Sequence, residues 1–319
     1  MNIRLNLNEY DFEHSEEFYN VLRDGISRYN ITRYQNLKVV EDLTQKLADI
    51  NNVNNENILI SNGSIHALEI LVRLYHGKKI FIFTPTYSYF YTLTNNLDVE
   101  YLPIDLNSEI IEIPENIDFD NGVVYIVNPN NPTGKLIDKK SLELCLKRFK
   151  NTIFIVDEAY INYTIENTCS QFIKTYDNII ITRSFSKGYG LCGLRVGYII
   201  TKNTLNLREY FHIHNLSTIS LIAANYILDN LECYNDIINT IKNNRNDFQD
   251  FLKSINIKYL KSESNFITFY SNEKLYDYLD MNGVVIRKFN NFFRITIGQK
   301  ENMEYVKSLI KEFYNKING

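Results

Sequence analysis

Lys187 is the residue of this sequence whose neighbours most clearly favour covalent chemistry. It stands in the segment SFSKGYGLCG (184–193), where two serines precede it and glycines follow it. A lysine amine can form a Schiff base with an aldehyde. The same ten residues also spell G-x-G-x-x-G through Gly188, Gly190 and Gly193, which is the fingerprint of a dinucleotide site. The segment alone therefore leaves two kinds of chemistry open, one carried by the lysine and one by the glycines.

Two other segments place polar side chains directly after short apolar runs. The run VVYIV (123–127) leads into NPNNPTG, in which two prolines fix the backbone and so allow the Asn131 amide to be aimed. The run TIFIV (152–156) leads into DEAY, which puts the Asp157 carboxylate at the end of the run and the Tyr160 phenol three residues later. Each feature alone is ordinary turn chemistry or helix capping. Together they offer an acid, a phenol and an amide for one site.

Two earlier loops add a place for an anion and a further phenol. The run NILIS (57–61) is followed by NGSIHAL, where Gly63 lets the chain turn into a helix whose first N–H groups can bind phosphate. The run KIFIF (79–83) is followed by TPTYSYF, in which Tyr87 comes after a proline turn. The first loop therefore predicts a phosphate site.

The apolar runs before these loops predict the strands of an α/β fold. Six runs are short and rich in β-branched residues, as strands covered on both faces must be; they are 57–61, 79–83, 123–127, 152–156, 178–182 and 196–200. Amphipathic segments such as 138–150 alternate with them, and this alternation predicts a mostly parallel sheet. The loop before 196–200 is too short for a crossover helix, so one antiparallel strand is expected. Since parallel sheets bind ligands beyond the carboxyl ends of their strands, the loops should meet at one site.

Beyond residue 203 the pattern changes to that of a smaller α+β domain. The predicted elements are helices over 203–230 and 232–255, strands over 264–270, 283–287 and 292–298, and a last helix over 300–317. We expect the N-terminal residues to join this part of the chain. The predicted organisation is a large domain of residues 26–205 and a small domain of residues 1–25 and 206–319.

Composition argues against several classes of function. The 319 residues are 45% hydrophobic and 23% charged, which is ordinary for a globular chain. The net charge of −4 offers no basic surface for nucleic acid or an anionic membrane, and no apolar run is long enough to span a bilayer. The four widely spaced cysteines predict thiols in a reducing compartment, the cytoplasm. His212 and His214 have no third ligand nearby, so no metal site is predicted.

The residues of these loops together predict a ligand with four different chemical groups. A lysine amine takes an aldehyde, an acid holds a protonated pyridine nitrogen, and phenol and amide donors stabilise a phenolate oxygen. Serine hydroxyls, Arg195 and a helix N-terminus take a phosphate. Aldehyde, pyridine, phenolate and phosphate together describe pyridoxal 5'-phosphate (PLP). The lysine is therefore favoured over the glycines, which neither follow a strand directly nor open a helix.

Several segments share their order and spacing with the motifs of a known enzyme family. These are LNLNEY (5–10), RYQNLKVVEDLTQKLA (33–48), NPNNPTG (128–134), VDEAY (156–160), RSFSKGYGLCGLRVGY (183–198) and FFRITIG (292–298). Together they resemble the fold-type I, class I and II aminotransferases, and within them the histidinol-phosphate aminotransferases. The resemblance implies a three-layer, mostly parallel α/β sheet with PLP as cofactor. It also implies an amino donor and a keto acceptor, with glutamate and 2-oxoglutarate as one pair.

The resemblance also assigns a role to each matching residue. Lys187 would bind the aldehyde and later move a proton, and Asp157 would pair with the pyridine nitrogen. Tyr160 and Asn131 would bind the phenolic oxygen of PLP, while Tyr87 would stack on its ring. The phosphate would be held by Ser184, Ser186 and Arg195, with the backbone around Gly63, Ser64 and Ile65.

Substrate and partner residues follow from the same resemblance. Arg294 would bind the substrate carboxylate, Arg287 a substrate phosphate, and Tyr10 would line the same pocket. Tyr34 would reach the cofactor phosphate of a second copy, which implies a homodimer. Only six residues separate the two arginines, so a smaller phosphorylated amine or ketone is open beside histidinol phosphate. Decarboxylases of phosphorylated amino acids, similar to threonine-phosphate decarboxylase, use nearly the same cofactor residues, so decarboxylation stays an alternative.

Overall fold

A computed structural model describes residues 2–28, 32–34, 36–106, 108–204 and 207–318 of the chain. The strands are β1 (Ile3–Leu5), β2 (Ile58–Ser61), β3 (Ile80–Thr84), β4 (Tyr101–Asp105), β5 (Val123–Val127), β6 (Ile153–Asp157), β7 (Ile179–Ser184), β8 (Gly197–Ile200), β9 (Tyr259–Leu260), β10 (Phe266–Phe269), β11 (Val284–Lys288) and β12 (Phe293–Thr296). The helices are α1 (Glu16–Arg28), α2 (Leu37–Asn51), α3 (Gly63–Leu74), α4 (Ser88–Asn96), α5 (Lys139–Arg148), α6 (Thr218–Asp229), α7 (Leu231–Ser254), α8 (Glu273–Met281) and α9 (Lys300–Asn318). Within the described ranges, no helix combines the length and the apolar character needed to cross a bilayer.

The larger sheet has seven strands in the order β2-β8-β7-β6-β5-β3-β4. The pairs from β4 through β3, β5 and β6 to β7 are all parallel. β8 runs antiparallel to both of its neighbours, β7 and β2. The single antiparallel strand that the short loop before residue 196 predicts is therefore confirmed.

Successive residues of the central strands pack into two separate cores. In β3, Phe81 and Phe83 join one buried cluster, while Ile80 and Ile82 join the other. Side chains of α2 and α5 complete the first cluster, and those of α3 and α4 complete the second. Because both faces of the sheet are covered, its strands are continuously apolar rather than alternating. The three-layer α/β architecture expected from the sequence is confirmed.

The smaller sheet joins the beginning of the chain to its end. Its five strands follow the order β1-β11-β12-β10-β9, in which β1 is parallel to β11 and the other pairs are antiparallel. The first strand thus pairs with residues some 280 positions away in the sequence, as Ile3 opposite Val284 illustrates. Boundaries between the two domains at residues 26 and 205 stay a prediction.

The helix expected over 203–230 is wrong in its first half. The α-helix begins only at Thr218, and the described residues before it include a short 3-10 turn at Arg208–Tyr210. Ser217 Oγ accepts the N–H of Ser220 at 3.1 Å and so caps the new helix. Side-chain bonds of this kind compete with a continuous helix and mark a helix start, which hydrophobic spacing alone does not reveal.

β4 is a strand that the sequence pattern did not predict. It pairs only with β3 at the edge of the large sheet and leaves most of its residues partly or fully exposed. Pro103 lies in its middle, and a proline is tolerated at an edge because it has no N–H to donate. An exposed strand interrupted by proline lacks the continuous apolar run by which the other strands were found.

Candidate active site

The carboxyl ends of three neighbouring strands bring the predicted site residues to one edge of the large sheet. Val127 of β5 lies opposite Asp157 of β6, which in turn lies opposite Thr182 of β7. A cavity of about 390 Å³ opens at these strand ends. Its lining includes the predicted residues Ser64, Ile65, Tyr87, Asn131, Asp157, Tyr160, Ser184, Ser186, Lys187, Arg195, Arg287 and Arg294.

Asp157 is a deeply buried carboxyl group at this cavity. It accepts hydrogen bonds from the Thr182 hydroxyl at 3.1 Å, the Tyr125 hydroxyl at 3.1 Å and the N–H of Ala159 at 3.2 Å. Burial nevertheless raises the pKa of Asp157 to about 6, because these bonds only partly offset the loss of water around the charged form. A cationic group next to this carboxylate would favour its ionised form, so the site suits a ligand that carries a proton there.

Arg294 and Asn131 form a directed hydrogen-bond chain that ends on Tyr160. Arg294 Nη1 donates to Asn131 Oδ1 at 2.5 Å, and Asn131 Nδ2 donates to Tyr160 Oη at 3.2 Å. Because a guanidinium group can only donate, the amide oxygen must face Arg294. The second Nη of Arg294 donates to the Asn6 carbonyl at 2.9 Å. Its Nε is buried and, among the described residues, has no partner, which favours an anionic ligand that can accept from it.

Lys187 projects its amine into the same cavity. Its Nζ donates to the Leu7 carbonyl at 3.0 Å and lies 5.8 Å from the centre of the Tyr160 ring. A carbonyl oxygen is a neutral partner, so the amine is not locked in an ion pair by this contact. The amine is therefore available to a ligand in the cavity, which Asp157 also lines.

Two of the three glycines that follow Lys187, Gly188 and Gly190, allow close packing. The turn that contains them leads into the strand β8 and not into a helix, so it does not build the phosphate-binding helix start of a dinucleotide site. Gly190 has φ +68, and a Cβ there would lie 2.7 Å from the Tyr10 ring. A Cβ on Gly188 would lie 2.6 Å from Asn162. The dinucleotide alternative is not supported.

One end of the cavity is built to hold an anion. α3 begins at Gly63, whose φ is +76, and a Cβ at this position would lie 2.6 Å from Arg195 Nη2. Only glycine lets the guanidinium lie against the helix N-terminus in this way. Arg195 Nη1 donates to Ser186 Oγ at 3.1 Å, and Ser184 Oγ accepts the N–H of Ser186 at 3.0 Å. A helix start, two hydroxyls and a cation together form a site suited to phosphate.

Tyr87 adds an aromatic ring to the cavity wall directly before α4. Burial, with smaller contributions from the nearby Tyr160 and Asp157, raises the pKa of Tyr87 to about 12. The phenol is therefore neutral at neutral pH. A neutral ring of this kind can stack on a flat ligand.

Tyr10 and Tyr34 lie outside the cavity lining. Tyr10 stacks on His14 with ring centroids 5.5 Å apart and lines a different cleft, so the structure does not bring it into the pocket of Arg287. Its ring occupies the space that Gly190 leaves open. Tyr34 is 80% exposed in the single chain, and its ring lies 4.2 Å from that of His214. The role of Tyr34 toward a second copy stays a prediction.

Other residues of the cavity wall were missed by the sequence analysis. The unpredicted lining residues include Leu7, Asn8, Thr86, Ser88, Tyr89, Thr92 and Phe289. Leu7 and Asn8 belong to the segment LNLNEY, in which Tyr10 is the one predicted site residue. Asn8 has φ +54, and it is this left-handed turn that decides which side chains of the segment face the cavity. The frequency of Asn in left-handed turns is the one signal that could have pointed to it.

The donor set of the cavity fits PLP. It offers an amine for the aldehyde, the Tyr160 hydroxyl for the phenolic oxygen and an anion site whose close approach requires a glycine. For the ring nitrogen it offers a buried carboxyl group that has no cationic partner among the described residues. Across the described ranges, three or more His, Cys, Asp or Glu side chains nowhere cluster as metal ligands would. The arrangement thus has a place for each of the four groups that PLP carries.

Proteins of similar sequence are named as aminotransferases. The profile of the family "Aminotransferase class I and II" matches residues 1–310. The chain is 31% identical over 327 residues to a histidinol-phosphate aminotransferase of Brachyspira hyodysenteriae, with 97% of this chain and 91% of that protein covered. It is 28% identical over 343 residues to a dihydroxyacetone phosphate transaminase of Campylobacter jejuni, with 99% and 91% covered. The names of both relatives favour amino transfer over the decarboxylation left open by the sequence.

A solved structure shares the whole architecture. The histidinol-phosphate aminotransferase of Sinorhizobium meliloti, in complex with pyridoxal-5'-phosphate, superposes with a TM-score of 0.84 at 20% identity. The match covers 98% of this chain and 91% of that one, so the two chains have the same fold. The family match over nearly the whole length supplies the activity that the fold alone does not. The chain belongs to the class I and II aminotransferases and is a PLP-dependent aminotransferase.

Proposed function

We propose that the chain transfers an amino group between a small phosphorylated amine or ketone and the glutamate and 2-oxoglutarate pair. The observation that carries this proposal is the position of two arginines. Arg287 of β11 lies directly opposite Arg294 of β12, and both line the cavity. Directly opposite residues of an antiparallel pair project from the same face of the sheet. The two guanidinium groups therefore offer two anion sites close to each other.

The hairpin that joins the two arginines is tight. Lys288 lies opposite Phe293, and the N–H of Phe289 donates to the Phe292 carbonyl at 2.9 Å. A short hairpin keeps the anion sites close, which suits a substrate whose phosphate and second polar end are few bonds apart. Histidinol phosphate and dihydroxyacetone phosphate, named for two relatives, both carry a phosphate. The names of the relatives and the paired arginines support the same class of substrate.

The residues of the cavity have different roles in amino transfer. When bound, PLP supplies a ring that delocalises the charge left on the amino-bearing carbon after its proton is removed. Lys187 Nζ is the group that takes this proton and returns it, a positioned transfer worth about 10²–10⁴-fold in rate. Asp157, once beside a cation, keeps a proton on the ring nitrogen. Arg294 orients a substrate carboxylate through parallel hydrogen bonds.

Replacing Arg287 with alanine should raise KM for a phosphorylated substrate by about tenfold or more, since a hydrogen bond to a charged group contributes about 1.5–3 kcal/mol. KM for glutamate should change less than about threefold if Arg294 holds its carboxylate. Steady-state kinetics with each substrate varied in turn measures both values. Lys288→Ala on the same strand is the matched control, because the Lys288 side chain pairs with Glu273 of α8 at 3.0 Å. Equal losses for glutamate would contradict the proposed phosphate role of Arg287.

A homodimer in the cytoplasm is part of the same proposal. Tyr34 is a largely exposed ring in the single chain, and Leu37 at the start of α2 is also exposed. Exposed apolar side chains close together favour an interface. A second copy that covers this region would let Tyr34 reach a neighbouring cavity. The spacing of the cysteines supports a reducing compartment.

Replacing Tyr34 with phenylalanine should weaken PLP binding by about three- to tenfold, the loss of one hydrogen bond to an anion. The chain should still sediment as a dimer, because the ring remains. Equilibrium titration of cofactor-free protein with PLP, together with sedimentation, measures both. Tyr305→Phe is a suitable control, since its hydroxyl donates to the Asn282 carbonyl instead. A monomeric wild-type protein that binds PLP with full affinity would refute the role across the interface.

A further inference from the structure

Asn8 lies at the cavity wall in the segment between β1 and α1. It is 1% exposed, and its φ of +54 is a conformation that asparagine, aspartate and glycine tolerate best. Its N–H donates to Thr296 Oγ1 at 2.9 Å, and its carbonyl accepts from Asn265 Nδ2 at 3.3 Å. These contacts fix the backbone of Asn8, so its side chain is held in one place.

The amide of Asn8 points its nitrogen at Tyr160. Thr296 Oγ1 donates to Asn8 Oδ1 at 3.3 Å, which leaves Nδ2 to donate to Tyr160 Oη at 3.0 Å. Asn131 Nδ2 reaches the same phenol oxygen at 3.2 Å, with its own amide oxygen held by Arg294. Two amide N–H groups from distant parts of the chain therefore converge on one oxygen.

This convergence determines where the Tyr160 proton can point. A phenol oxygen can accept through its lone pairs and has a single proton to donate. Since both amides donate to it, neither can accept its proton, and the proton must be directed elsewhere. Tyr160 is only 5% exposed, and the open space it faces is the cavity.

We propose that Asn8 is a positioning residue which, together with Asn131, makes Tyr160 an obligatory hydrogen-bond donor toward the cavity. This inference rests on the proposed function, in which Tyr160 meets the phenolic oxygen of PLP. A phenolate oxygen can only accept, so a donor whose direction is already set is complementary to it. The O–H bond of Tyr160 then does not have to reorient when the cofactor binds.

Two substitutions separate this role from simple support of the chain. Asn8→Gly keeps the left-handed backbone and removes both side-chain contacts. Asn8→Asp keeps the shape, the backbone and the acceptor for Thr296, but puts a carboxylate oxygen where the amide donated. That oxygen would accept the Tyr160 proton and turn it away from the cavity. The proposed role therefore makes the isosteric change the more harmful one, whereas a supporting role makes it the milder one.

The test is the affinity of cofactor-free protein for 4-deoxypyridoxine 5'-phosphate, measured by calorimetry. This analogue keeps the phosphate, ring nitrogen and phenolic oxygen but has no aldehyde for Lys187. We expect a loss of about three- to tenfold for Asn8→Gly and of more than tenfold for Asn8→Asp. With the analogue whose ring hydroxyl is replaced by hydrogen, both variants should match wild type within about twofold. Glu9→Ala, which breaks only the ion pair with Arg4 on the same segment, is the control.

Two results would overturn the inference. Asn8→Asp could bind the analogue at least as well as Asn8→Gly, or both variants could lose the same affinity with and without the ring hydroxyl. Either outcome would make Asn8 a support for the segment alone. A wild-type protein that binds neither analogue would overturn the cofactor assignment itself, and this inference with it.

Discussion

Replacing Lys187 with alanine is expected to lower the rate of amino transfer by about a thousandfold or more. On the proposed mechanism the variant loses both the covalent attachment of PLP and the group that moves the proton, and positioned proton transfer alone contributes about 10²–10⁴-fold. The position of Lys187 explains the size of the expected loss, because Lys187 lines the same cavity as Asp157. Steady-state kinetics and the visible absorbance of the purified protein measure the two losses.

Lys202→Ala is the matched control for this prediction. Its amine pairs with Asp177 at 3.1 Å and the residue is not part of the cavity lining, so rate and absorbance should stay at wild-type values. Circular dichroism of both variants reports whether the fold is intact. A Lys187→Ala protein that retained more than about a tenth of the wild-type rate would remove the lysine from the mechanism.

Replacing Asp157 with asparagine should lower turnover by about 10²–10³-fold, the cost of removing one preorganised electrostatic partner. The amide is isosteric, and its oxygen can still accept from Thr182 and from the N–H of Ala159, which share one carboxylate oxygen. The fold should therefore survive while the charge is lost. Turnover is measured at saturating PLP, so that weaker binding does not hide the chemical effect.

The stability of the cofactor-free protein gives this variant a second readout. Burial raises the pKa of Asp157 from 3.8 to about 6, so its contribution to stability is greatest below pH 4 and is lost as the pH rises through 6. At pH 7 the buried charge costs on the order of 3 kcal/mol. Cofactor-free Asp157→Asn should thus be at least as stable as wild type at pH 7, with the advantage shrinking toward pH 4. Near-normal turnover, or a fold destabilised at pH 7, would contradict this account of Asp157.

Much of the site could be predicted because parallel strands end at a common edge. Asp157 follows a buried run directly, and Asn131 and Lys187 follow neighbouring runs within a few residues. Once the runs are strands of one parallel sheet, the residues that follow them lie at the same end of the sheet, whatever the length of the connecting loops. The resemblance to a family then gave each residue an expected role.

The inner face of the N-terminal segment could not be predicted in this way. LNLNEY contains several residues that could face a cavity, and the sequence does not show where its backbone turns. The left-handed conformation of Asn8 turns Asn8 toward Tyr160, while Tyr10 packs on His14. Such a turn depends on tertiary contacts, here with Thr296 at the far end of the chain.

The pairing of the two arginines could not be predicted from the sequence either. The sequence shows that Arg287 and Arg294 are close in the chain, but not that they lie directly opposite each other. Hairpin register depends on the turn, which here is closed by the bond between Phe289 and Phe292. A turn one residue longer or shorter would have placed the two guanidinium groups on different faces.

The account depends most on the covalent link between Lys187 Nζ and PLP, and reductive trapping tests it most directly. Sodium borohydride fixes the link, after which digestion and mass spectrometry locate the modified residue. We predict a phosphopyridoxyl group on Lys187, in the peptide that contains residues 184–193. A protein that retains bound PLP but carries the group on another lysine, or on none, would contradict the central claim.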